Sequence, residues 1–468
     1  MSQLEDSVDF DNAATMIKPV LPEPRVIPRA EHTVSRADID REALKVMHRL
    51  RDEGHLAYLV GGGVRDLLLG KKPKDFDIST SAKPGELRKI FRNSRIIGRR
   101  FRLVQVFFPG GKIIEVATFR CRSEFEVNGG EIETLAHDNT FGTPVEDAFR
   151  RDLTINALFY EIENFTVIDY TGGVEDLRNR LVRLVGDPDR RLLRDPVRML
   201  RAIRHAARSD FTIEQETWGA ICRHVDKLSL CPDSRLRDEL FKDLRAGSSR
   251  TWADFALASG IFFELFPFYR GVFPLPGPAD QEGQRLAAPV PLVALLFKLL
   301  QVVDQAVAAG REFSEEMLLA LLLLPWAEAR FGLLAKELDR SVAYRFSRKL
   351  RSELDQVLAP LNIKRSSRES LAMLLSNLPL LLTHCPVESE EVGEWPKPLT
   401  RKGYFPQCLA FYELYRAALT GEQPSEVISA AAPPPPVARQ KGARPGRRRV
   451  GRAPAIVKKK GGIFGLKK

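Results

Sequence analysis

Cysteine is scarce and poorly placed for structural chemistry, with five in 468 residues, at Cys121, Cys222, Cys231, Cys385 and Cys408. An odd number without metal-ligand spacing excludes a disulfide framework and a zinc finger, and reads as free thiols in a reducing compartment. Histidine is also sparse, at seven residues. His137-Asp138 is the only His-Asp pair, so there is no clustered metal set for a phosphohydrolase. No apolar run reaches the ~18 residues that a membrane span requires; the longest are Val290 to Phe297 and Met317 to Trp326. The start, MSQLEDSVDFDN, is acidic and lacks an apolar signal core, which implies a cytoplasmic location and no membrane partner. No Gly-x-x-x-x-Gly-Lys-Ser/Thr surrounds Gly70-Lys71, so a P-loop is excluded. No internal repeat at a solenoid period is present.

What is abundant is positive charge, unevenly distributed. The net charge is +11, yet residues 439–468 alone hold twelve Lys or Arg and no acid. Without them the remaining 60 basic residues balance 61 acidic ones. That stretch follows Pro433 to Pro436 and cannot bury enough apolar surface to fold alone. It reads as a flexible arm that contacts phosphates and releases counterions, or as a solubilising end. The chain is too long for one core. The expected organisation is a disordered leader over 1–34, an α/β head over 35–170, a helical neck over 171–250, a helical body over 251–425 and a disordered basic tail over 426–468. Within the head, a helix starts near Ser35, Leu56 to Val60 and Phe76 to Ser79 are strands, and Leu103 to Phe108 and Ile113 to Phe119 are two more. After Gly172-Gly173 the apolar spacing becomes helical almost throughout.

The strongest local signal is Gly61-Gly62-Gly63-Val64-Arg65-Asp66, followed by Asp75-Phe76-Asp77. Residues two apart in a strand project from one face, so Asp75 and Asp77 would aim two hard oxygen donors at one point, as Mg²⁺ requires. Two ions about 3.5–4 Å apart can activate a hydroxyl and stabilise a departing pyrophosphate. Glu115, polar among apolar neighbours in Ile113 to Ala117, is the candidate third carboxylate. The glycines let backbone N–H groups approach a triphosphate at a helix N-terminus. Taken alone, an Asp-x-Asp is common in surface turns, and one glycine suffices for a plain strand-to-helix turn.

In this order the motifs resemble the class II nucleotidyltransferases of the polymerase-beta superfamily, the bacterial poly(A) polymerases and tRNA CCA-adding enzymes. The likeness runs from about Ser35 to Leu244. Gly61 to Leu69 with Asp75 and Asp77 are similar to the metal and phosphate motif, which implies a polymerase-beta-like α/β head, two Mg²⁺ ions and ATP as substrate. Arg150-Arg151-Asp152-Leu153-Thr154-Ile155-Asn156 resembles the second motif. There the likeness implies that Arg151 meets phosphate, that Asp152 meets the ribose hydroxyls and counts among the catalytic acids with Asp75, Asp77 and Glu115, and that Asn156 supports the pocket. Gly61, Gly62 and Arg65 would line the same nucleotide site. Asp169 to Gly173 looks like a hinge between head and neck. Arg194-Asp195-Pro196-Val197-Arg198-Met199-Leu200-Arg201 is similar to the base-reading motif, with Asp195 accepting from adenine N6–H and Arg198 donating to N1. Here Arg194 stands where the family usually has Glu. Asp195 before Pro196 could also be an ordinary helix N-cap. Arg198, Arg201, Arg204 and Arg208 give one helix a basic face, either solvated or in contact with phosphate.

Arg95 to Val104 resembles the segment that separates poly(A) polymerases from CCA-adding enzymes. Arg99, Arg100 and Arg102 could grip an RNA strand without reading it, with Phe101 stacking on a base. Arg447, Arg448 and Arg449 in the tail would add nonspecific contacts. These features point to adenylate addition from ATP to RNA 3′ ends, the chemistry of mRNA tailing and decay, with CCA or A addition to tRNA as the alternative. A nonenzymatic RNA-binding protein and a small-molecule adenylyltransferase are the readings from other classes. The sequence names no protein partner.

Overall fold

The computed structural model describes residues 23–98, 102–121, 141–275, 290–335, 340–387 and 395–422. An eight-stranded mixed sheet organises the head. Its strands are β1 (Arg25–Ile27), β2 (Ala57–Val60), β3 (Asp77–Thr80), β4 (Ser94–Ile97), β5 (Leu103–Phe107), β6 (Ile113–Thr118), β7 (Leu158–Glu161) and β8 (Thr166–Asp169). They lie in the order β1-β8-β7-β2-β3-β6-β5-β4, with β3 and β6 as the parallel pair.

One face of the sheet is covered by α1 (Arg41–Asp52), α2 (Gly62–Leu68) and α3 (Pro84–Ile90). The amphipathic α1 buries Ala43, Val46, Met47 and Leu50. It begins later than the Ser35 signal suggests. Ser35 caps only a single 3₁₀ turn, while Asp40 caps α1 by accepting from the N–H groups of Glu42 and Ala43. The other face carries a smaller aromatic core of Tyr58, Phe119 and Phe159, roofed by α4 (Pro144–Arg150).

The reading of residues 1–34 as a disordered leader fails for 25–34. Arg25–Ile27 pairs antiparallel with β8, and Ile27 and Val34 are each 1% exposed. The prolines that suggested disorder flank the strand instead. Pro24 and Pro28 are tolerated at a sheet edge, where no N–H is needed. Residues 1–22 lie outside the described residues, as does the tail from 423 onward.

Helices follow the sheet: α5 (Gly173–Arg178), α6 (Pro188–Arg194), α7 (Arg198–Ser209), α8 (Gln215–His224), α9 (Asp233–Leu244), α10 (Ser249–Ser259) and α11 (Ile261–Leu265). Farther along come α12 (Pro291–Ala308), α13 (Glu315–Phe331), α14 (Arg340–Val357), α15 (Arg365–His384), α16 (Lys397–Thr400) and α17 (Phe405–Thr420). Helix α12 is long and apolar enough to cross a bilayer by composition. It packs against α10, α13 and α17, burying Leu296, Leu299, Leu300 and Val303, as a core helix does.

Candidate active site

Carrying the Ile78↔Val116 pairing of β3 and β6 back by one residue aligns one residue from every strand in a single row: Val26, Ile168, Phe159, Val60, Asp77, Glu115, Gln105 and Arg95. Opposed residues share a face. The row is apolar on the β8-β7-β2 side and turns charged at β3. Sequence alternation marks each strand, but only the strand order brings Asp77 beside Glu115.

Asp75, Asp77 and Glu115 line one cleft of about 600 Å³, together with Lys72, Lys74 and Gln105. Asp75 precedes the strand and Asp77 opens it. Glu115 accepts from Gln105 Nε2 at 3.0 Å, which fixes one of its oxygens. Partial burial, then the charge of Glu115, raises the Asp77 pKa above the usual carboxylate value; Arg151 opposes this and Asp75 adds to it. Such mutual repulsion among hard oxygen donors is what a divalent cation relieves. The donor set therefore fits Mg²⁺. Among the described residues no three Asp, Glu, His or Cys side chains form a ready-made metal cluster.

The glycine turn lies beside these acids. Gly61 has φ +69°, and a Cβ there would stand 3.1 Å from Arg151 Nη1. Arg151 is held by Asp147 at 2.8 Å, donates to Ser79 Oγ at 3.2 Å and lies over the Phe159 ring. Its guanidinium is thus in place between the turn and the Asp77–Ser79 face. Arg65 is another arginine expected at the nucleotide site. It is 5% exposed beneath the turn. It forks onto Asp66 Oδ1 at 3.0 and 2.7 Å and donates to Asn156 Oδ1 at 2.5 Å.

Asp169, in the expected hinge, is 3% exposed and accepts from the N–H groups of Thr171, Gly172, Gly173 and Val174 at 2.9–3.1 Å. This corner is pinned, not loose. Gly173 packs so tightly that a Cβ would fall 2.2 Å from the Thr154 carbonyl oxygen. The neck therefore meets the segment carrying Asp152 and Asn156.

On α7 the arginines face acids. Arg198 pairs with Asp152 at 2.6 Å, and Arg201 pairs with the other oxygen of the same carboxylate. Burial acts to raise the Asp152 pKa, but Arg198 and Arg201 outweigh it and hold the group below the usual range. Arg204 binds Glu239 and Asp243 of α9. The row at 198, 201 and 204 is thus an internal ion-pair ladder, neither a solvated face nor an RNA face; of the four arginines only Arg208 is exposed. Asp195 does not cap α7. Its carboxylate is gripped by Arg235 at 2.8 and 2.9 Å, with Arg198 at 3.7 Å. Gln105, Ser79, Asp147, Arg235 and His205 carry no motif and were invisible in sequence; only Asp147, one helical turn before Arg151, had a spacing that could have suggested its role. Arg102 is exposed at the start of β5, whereas Arg99, Arg100, Arg447, Arg448 and Arg449 lie outside the described residues.

Residues 57–183 match the poly A polymerase head domain, and residues 210–271 match a probable RNA and SrmB-binding site of polymerase A. Poly(A) polymerase I of Escherichia coli O6:H1 is 48% identical over 267 residues, 56% of this chain and 57% of that protein. The stretch from residue 57 to residue 271 is thus similar to poly(A) polymerases. The Haemophilus influenzae poly(A) polymerase I is 43% identical over 53% of this chain and 56% of its own length. The CCA-adding enzyme of Lactobacillus helveticus is 38% identical over 44% of this chain and 50% of its own. This chain thus spans little more than half the length of these relatives. The CCA-adding enzyme of Bacillus stearothermophilus in complex with CTP has the same fold, with a TM-score of 0.57 at 24% identity over 83% of this chain and 80% of that one.

Proposed function

We propose that this chain transfers AMP from ATP to the 3′ ends of RNA. The observation that carries the reading is the row in which Asp77 and Glu115 stand together beside Asp75 and the Gly61 turn. The similarity to poly(A) polymerases, at 43–48% identity, sets the direction of the proposal.

Asp75, Asp77 and Glu115 would hold two Mg²⁺ ions, which supply charge for the attacking hydroxyl and the leaving pyrophosphate. Arg151, between Gly61 and Ser79, would meet the triphosphate. Asp152 would accept from the ribose hydroxyls with the oxygen lone pairs that Arg198 and Arg201 leave free. Asp195 would accept from adenine N6–H while Arg198 donates to N1; Arg235 holds that carboxylate in place where Arg194 replaces the usual acid. No side-chain base is required, because the hydroxyl needs only a lowered pKa. Arg102 and the basic segment beyond 438 would hold RNA by its backbone. A cytoplasmic location belongs to the same reading.

Incubating the protein with oligo(A), a tRNA lacking CCA, and each nucleoside triphosphate separately tests it. Long ATP-dependent ladders are expected. Addition of one to three residues to tRNA alone would favour the CCA or A-adding alternative, and no extension of either RNA would end both. Asp75→Ala and Asp77→Ala should each remove Mg²⁺-dependent transfer while leaving the thermal midpoint almost unchanged.

A further inference from the structure

His205 lies on α7, and both of its ring nitrogens face side chains expected at the nucleotide site. Nδ1 lies 3.3 Å from Arg65 Nη1, and Nε2 lies 3.3 Å from Asn156 Nδ2. The amide orientation is fixed by its shorter contact. Asn156 Oδ1 accepts from Arg65 at 2.5 Å, so reversing the amide would set its NH₂ against a guanidinium donor. Two donors therefore approach one imidazole. A neutral ring offers a lone pair at only one nitrogen, and a protonated ring at neither.

The ring is neutral at physiological pH. Burial, then Arg65, Arg204 and Arg208, pushes its pKa down to about 3, against a smaller upward pull from Asp152. With Nε2 protonated, Nδ1 accepts from Arg65 and Asn156 loses its partner. In the other tautomer Asn156 is satisfied and Arg65 is released. Arg65 otherwise has Asp66 and Asn156 as acceptors, so the loss is partial, and the guanidinium can turn toward an incoming anion.

We infer that His205 is a positioning residue for the nucleotide, whose single lone pair holds Arg65 or Asn156 in place and so sets from α7 how the two side chains face the triphosphate and ribose. The neck helix thereby sets the state of the phosphate turn. This rests on the nucleotidyltransferase reading, and nothing in the sequence motifs assigns the residue a role.

The test compares wild type with His205→Phe, which keeps the ring volume and has no lone pair, and with His205→Gln, whose carbonyl can accept from Arg65. Steady-state extension of oligo(A) gives KM for ATP and kcat; calorimetric titration with Mg·ATP in the absence of RNA gives a dissociation constant. His205→Phe should raise both KM and Kd about tenfold, the scale of one hydrogen bond to a charged group, with kcat within about twofold. His205→Gln should recover most of the loss. Unchanged KM and Kd in His205→Phe overturn the inference. So does an equal loss in the Gln variant accompanied by a lower thermal midpoint, which marks a packing role. Wild-type protein that neither binds ATP nor extends RNA overturns the underlying function instead, and is recognised because no variant is needed to see it.

Discussion

At Asp77 partial burial and neighbouring carboxylates favour the protonated form, whereas at His205 burial and three arginines favour the neutral ring. The His205 shift has a calculable consequence for stability. Its folded pKa, about 3, lies below the unfolded value of 6.5. In that window the unfolded chain binds the extra proton, so stability rises with pH from about 3 to 6.5 and gains nothing more above it. Urea denaturation as pH falls from 6.5 should therefore show a shallower decline for His205→Phe than for wild type. Parallel curves would show that the imidazole is protonated in the fold. Asp75 and Asp77 were legible in sequence because their spacing is local. The tethering of Asp195 by Arg235 was not, since forty positions separate them and a carboxylate before proline looks the same whether it caps a helix or binds an arginine.

Four of the eight head strands, β2, β3, β5 and β6, were readable from alternation and glycine punctuation, and the later helices from their apolar period. Strand order was not readable. Alternation says which face a residue takes and nothing about its neighbour, so the meeting of Asp77 with Glu115 had to come from the β3–β6 pairing. The Asp169–Gly173 corner shows the same limit. Two adjacent glycines suggest freedom, yet here they permit close approach: Gly173 sits against the Thr154 backbone, and Thr154 Oγ1 donates to Asp176 at 2.6 Å. Gly173→Ala should cost about 1–3 kcal/mol by overpacking, since the obstructing atom is main chain and cannot swing aside. Chemical denaturation would register that loss. The same substitution should also weaken ATP binding, because the displaced turn carries Asn156.

Across the whole molecule, charge is partitioned by role. The head–neck boundary neutralises its own arginines in the ladder from Asp152 through Glu239 to Asp243, leaving little there for a polyanion. The surplus resides in the last thirty residues, with twelve cations. Truncation after residue 422 should weaken RNA affinity and flatten the slope of log K against log salt, by about 0.7 for each single-strand phosphate that the shortened protein no longer neutralises. Filter binding across a salt series measures both. A truncated protein with an unaltered slope would assign RNA binding to the residues before 423. The proline-flanked strand at residues 25–27 matters at this scale too. A longer outer strand would offer a row of free amides to any passing extended chain, its own nascent copies included. Three residues closed off by Pro24 and Pro28 offer almost none, so at that border the sheet is guarded against growing into a polymer of itself.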